Sequence, residues 1–82
     1  MARLHFLGRL VDVTGHPSET VDLPAALTDT SSLRQWLDDR GAQDGAFLDP
    51  TVRVAINDEL VIEPAAIANS DEIAFLPPVG GG

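Results

Sequence analysis

Thr28-Asp29-Thr30-Ser31-Ser32-Leu33-Arg34-Gln35-Trp36-Leu37-Asp38-Asp39-Arg40 decides the fold, because here the apolar spacing changes from two to nearly four. Leu33, Trp36 and Leu37 fall on one face of an amphipathic helix. Asp29, Thr30 or Ser31 can cap its first turn, and Gly41 offers a left-handed stop. The tryptophan reads as a core anchor for that face. Asp38 and Asp39 are adjacent rather than one turn apart, so they read as a solvated polar face and not as a paired-carboxylate catalyst.

The sequence on either side of this helix alternates. Residues 2–12 read as a strand with Leu4 and Phe6 on one face, His5 and Leu7 on the other. Gly15, Pro17 and Ser18 mark a turn, and Glu19 to Leu23 alternates again, giving an N-terminal hairpin closed by Pro24. Beyond the helix, residues 42–50 are a connection. Val52 to Ile56 is a strand, Asn57-Asp58-Glu59 a compact turn, and Leu60-Val61-Ile62 a short strand. Residues 63–70 cross irregularly to a last strand, Ile73 to Leu76. Ile73 and Phe75 should face the helix, with Ala74 and Leu76 opposite. Strand, strand, helix, strand, short strand, strand implies an α+β domain of the β-grasp (ubiquitin-like) kind: a mixed sheet against one main helix.

The body spans residues 1–76, and residues 77–82 form a flexible tail. Eighty-two residues build one modest core, with little room for an enclosed catalytic cleft. Thirteen acidic residues against five arginines give a net charge of -8. That balance repels phosphate backbones, so no nucleic-acid partner is expected, and it favours basic protein surfaces. The chain has no cysteine, so any sulfur chemistry needs sulfur from elsewhere. No apolar run suits a signal or membrane segment, so no membrane partner and a cytoplasmic location are expected. His5 and His16 have no ligand set, Gly8 and Gly15 form no dinucleotide fingerprint, and no phosphate loop is present.

The sharpest chemistry lies in Pro77-Pro78-Val79-Gly80-Gly81-Gly82. The prolines hold the chain extended and remove ladder donors. Gly81 and Gly82 lack β-carbons and fit a narrow channel. Fully extended, the six residues reach roughly 20 Å. The only group they deliver is the Gly82 carboxylate, which needs activation before it can react. Leu7 and Leu76 fall opposite the core face by parity, Leu60 sits beside the hairpin turn, and the three could form an apolar docking patch beside the tail.

The segment Asp71-Glu72-Ile73-Ala74-Phe75-Leu76-Pro77-Pro78-Val79-Gly80-Gly81-Gly82 resembles the small subunit of molybdopterin synthase, a ubiquitin-like sulfur carrier. Leu33-Arg34-Gln35-Trp36-Leu37, Val54-Ala55-Ile56-Asn57 and the opening Leu4 to Leu7 extend the resemblance over nearly the whole chain. Many relatives carry Arg-Glu where this chain has Val11-Asp12. The resemblance implies that an E1-like enzyme spends ATP to adenylate Gly82 and that a persulfide-bearing sulfurtransferase supplies sulfur. The thiocarboxylate then enters the large subunit of a heterotetrameric synthase and donates sulfur to a pyranopterin precursor. On this reading the chain binds no stable cofactor and is non-catalytic alone. Gly82 and Gly81 form the reacting end, and Leu7, Leu60, Leu76, Pro77, Pro78, Val79 and Gly80 contact the partner. The same terminus would serve a carrier for cysteine or thiamine synthesis, or a protein modifier linked through an isopeptide bond. A β-grasp adaptor with a passive tail is the bland alternative.

Overall fold

A computed structural model describes residues 1–41 and 45–78. The elements run β1 (Ala2–Phe6), α1 (Leu10–Thr14), β2 (Ser18–Val21), α2 (Thr30–Asp39), β3 (Arg53–Ile56), β4 (Glu59–Leu60) and β5 (Glu72–Leu76). They form one five-stranded sheet in the order β2-β1-β5-β3-β4. β5 runs parallel to β1 and antiparallel to β3, so the last strand lies in the middle of a mixed sheet. This is the β-grasp arrangement expected from the order of elements.

Alternation places the sheet's inner face. Leu4, Phe6, Val54, Ile73 and Phe75 are buried against Leu33 and Leu37 of α2 in one core. α2 begins with a capping box: Asp29 accepts from the Ser32 amide at 2.9 Å, and Ser32 Oγ accepts from the Asp29 amide. Of the three candidate caps, the structure selects Asp29; Gly41, at φ 130°, closes the helix as expected. Asn57 and Asp58 both take positive φ, which matches the right-handed twist of the two-residue β3–β4 hairpin.

Four sequence readings need correction. The first strand stops at Phe6, and residues 10–14 are helical. Gly8 at φ 55° turns the chain, after which Leu10 and Val13 meet the core at helical spacing. β1 and β2 therefore pair as expected, but through α1 rather than a simple turn. The connection 42–50 contains Phe47, which is fully buried. Its ring meets Phe6 and Phe75 edge-on, with centroids 5.7 and 5.2 Å apart. Trp36 only borders the core, and the Arg40 guanidinium lies over its ring at 4.5 Å. Asp38 is not wholly solvated: its Oδ1 is buried without a partner among the described residues.

Arg34 is the buried member of the helix face that apolar spacing did not reveal. It donates to both oxygens of Glu63, at 2.9 and 2.7 Å. It also donates to the carbonyls of Phe47, Asp49 and Val52. One side chain thereby ties α2 to the loop before β3 and to the crossing after β4. Thr30 holds the same crossing two residues further on, its hydroxyl accepting from the Ala65 amide.

Candidate functional site

The chain leaves the sheet at the carboxyl end of β5, which is held on both sides. Phe75 accepts from the Leu7 amide at 3.2 Å, and Leu76 stands opposite Arg53. Phe75 itself is buried in the aromatic trio with Phe6 and Phe47, so packing fixes the strand one residue before its end. Pro77 then ends the ladder, since it has no amide to donate.

Gly8 sets where Pro77 can sit. A β-carbon built on Gly8 would lie 2.9 Å from Pro77 Cγ, closer than real contacts allow. The glycine also holds a left-handed φ of 55°. Gly8→Ala is expected to lose about 1 kcal/mol from backbone strain and to push Pro77 aside. Thermal unfolding and the backbone amide shifts of Leu7, Phe75 and Leu76 measure these effects. Unmoved shifts would show that the contact does not govern the tail's root.

The outer face of the sheet beside this exit is apolar. Paired residues project to the same side, so the registers His5–Ala74, Ala74–Ala55 and Ala55–Leu60 trace one row across it. The next row holds Leu76 and Arg53, with Leu7 one step beyond His5 in parity. Val61 donates to the Val54 carbonyl, which extends the β3–β4 contact one residue past β4. Leu7, Leu60 and Ile62 are 41, 61 and 93 % exposed, and Leu76 is half-buried. The structure thus brings Leu7 and Leu76 together and places Leu60 on the same face two strands away.

Pro77 is half-buried against Gly8 and Pro78 is exposed. Val79, Gly80, Gly81 and Gly82 lie outside the described residues. Sequence reasoning missed two members of this surface: Gly8 and Arg53. Gly8 carried a signal, a glycine directly after an apolar strand, which marks a turn as readily as a strand residue.

The two carboxylates with shifted acidity serve local structure. Burial alone would raise Glu19, but hydrogen bonds and charge from Arg40 and His16 outweigh it and hold the carboxyl below its ordinary value. Asp49 is lowered by hydrogen bonds from the Thr51 amide and hydroxyl. His5 stands 3.8 Å from Glu72, and no group of three metal-ligating side chains occurs among the described residues. Two open clefts, of about 140 and 450 Å³, lie at α1, the first shared with Glu19, the end of α2 and Phe47 and the second with residues 45–52, and neither includes Leu7, Leu60, Leu76 or Pro77. Among the described residues no helix is long and apolar enough to cross a membrane. The site thus presents an exposed apolar face beside the point where the chain leaves the sheet.

Comparison with known proteins gives a family-wide match. The model of the ThiS family matches residues 4–82. A Pyrococcus furiosus protein assigned as molybdopterin converting factor subunit 1 superposes with a TM-score of 0.76 at 19% identity, covering 95% of this chain and 97% of its own. SAMP1 of Haloferax volcanii, a small archaeal modifier protein, gives 0.71 at 27% identity over 99% and 98%. A chain of the complex of subunits 1 and 2 of the Helicobacter pylori molybdopterin-converting factor gives 0.63 at 23%, over 99% and 97%.

Proposed function

This chain belongs to the ThiS family, and from that premise we propose that it is the sulfur-carrying small subunit of molybdopterin synthase. The observation that carries the reading is the family match running to residue 82, through the glycine terminus and past an apolar face at its root. Gly82 supplies the reacting carboxylate, and Gly81 lets it pass into a narrow partner channel.

The chemistry follows from what a carboxylate lacks. Its carbon is a poor electrophile, so an E1-like enzyme joins it to ATP, releasing pyrophosphate and leaving an acyl-adenylate. The terminal sulfur of a sulfurtransferase persulfide displaces AMP. A second thiol then takes the donor's sulfur into a disulfide and leaves the thiocarboxylate on Gly82. That sulfur is the nucleophile offered to the pyranopterin precursor inside the large subunit, and hydrolysis of the resulting acyl link restores the carboxylate. The described residues contribute anchoring, through Phe75 and the Gly8–Pro77 contact, and docking, through Leu7, Leu60 and Leu76. ATP acts at the activating enzyme. The heterotetramer and cytoplasmic location belong to the same proposal.

A second reading rests on the 27% identity to SAMP1: a modifier whose Gly82 ends in an isopeptide bond to a partner lysine. Carriers for cysteine or thiamine synthesis would share the first steps. Incubation with the activating enzyme, ATP and a persulfide donor, followed by intact-mass and C-terminal peptide analysis, distinguishes them. The expected result is oxygen-to-sulfur exchange confined to Gly82, with transfer of that sulfur once the large subunit and precursor are added. A glycine remnant on another protein's lysine would favour the modifier, and neither product would reject both.

A further inference from the structure

We propose that Arg53 selects the partner of the outer sheet face, and that this partner covers the face with an apolar surface bearing one carboxylate opposite the guanidinium. The inference rests on the carrier reading and names the chemistry that reading leaves open.

Arg53 is exposed on β3 and stands within an apolar surround. Leu76 faces it across the β5 register, and Ala55 is two residues along its own strand. Among the described residues it makes no ion pair or side-chain hydrogen bond, unlike Arg34 and Arg40. Its position is consequential because Leu76 roots the tail. A partner that receives the tail and covers Leu7 and Leu76 also covers Arg53.

Burying a guanidinium without acceptors is strongly unfavourable, while pairing it inside a dry apolar rim strengthens the ion pair. A surface that is apolar throughout, or that carries lysine at this point, is therefore rejected. Charged residues ringed by apolar contacts are the positions at which binding energy concentrates. A second copy of this chain fits poorly, since face-to-face packing would juxtapose like cations on two bodies of net charge -8. The overall acidity instead asks for a partner that is basic at long range. A single acid placed within such a surface is a specific complement.

The test measures binding of the full chain to two separate proteins, the cognate large synthase subunit and the E1-like activating enzyme. Arg53→Met and Arg53→Glu are compared with wild type across ionic strength. With unfolding midpoints unchanged, Arg53→Met should weaken binding to the large subunit roughly thirtyfold or more; Arg53→Glu should weaken it further. Reversing the partner's facing carboxylate to lysine should restore binding of Arg53→Glu alone. Wild type binding that neither variant alters would overturn this inference and leave the carrier reading intact. A wild-type chain that binds neither protein would overturn both.

Discussion

Deleting Gly81 and Gly82 is expected to reduce sulfur transfer to background while leaving the unfolding midpoint that of the full chain. The body ends its ladder at Leu76, and Pro77 already lacks a ladder donor, so no core contact of the described residues depends on the final pair. The lost function is chemical: the carboxylate that accepts adenylate would fall on Gly80, two residues short. A subtler variant separates reach from reactivity. Gly81→Val keeps the terminal carboxylate but adds a branched side chain where the proposed partner channel would be narrow. Misplacing a reacting atom by about 1 Å can lower a rate on the order of a hundredfold. Adenylation by the activating enzyme, followed as pyrophosphate release, should fall by that order with binding of the body retained. Full transfer by the truncated chain would exclude carriage at this terminus.

Replacing Arg34 by alanine is expected to be the most damaging single change to the body. It would leave Glu63 half-buried without its cation and strip donors from the carbonyls of Phe47, Asp49 and Val52. Breaking a buried pair in this way costs about 3 kcal/mol or more. For a domain of this size each kcal/mol moves the midpoint by roughly 4–8 °C, so a fall of roughly 12–24 °C is expected. Lysine at this position should recover only part, since one ammonium cannot reproduce a planar fork serving a carboxylate and three carbonyls. Thermal and urea unfolding measure both. A loss below 1 kcal/mol on Arg34→Ala would show that solvent replaces the network readily. Because Phe47 packs on Phe75, damage here should also loosen the strand from which the tail departs.

The sequence made some of this legible and hid the rest for physical reasons. β5 could be read because Ile73 and Phe75 alternate with Ala74 and Leu76 and the prolines mark its end. α2 was legible through Leu33 and Leu37 and its cap. α1 was not, because Leu10-Val11-Asp12-Val13 fits a strand as well as a five-residue helix; the turn at Gly8 decides between them. Arg34 escaped notice because its burial depends on carbonyls 13 to 18 residues away, a long-range match that helical periodicity cannot encode. Leu7 and Leu76 were legible from parity, and Leu60 from its place beside the hairpin turn. Arg53 could be set beside Leu76 only once the strand registers were known.

The interior position of β5 bears on how the carrier withstands use. Edge strands fray first in native proteins, and here the margins are β2 and the two-residue β4. The strand that takes the pull when a partner draws on the terminus is clamped between two neighbours of opposite polarity, so traction is shared by two ladders in shear. Breathing at the rims can proceed without slackening the tether.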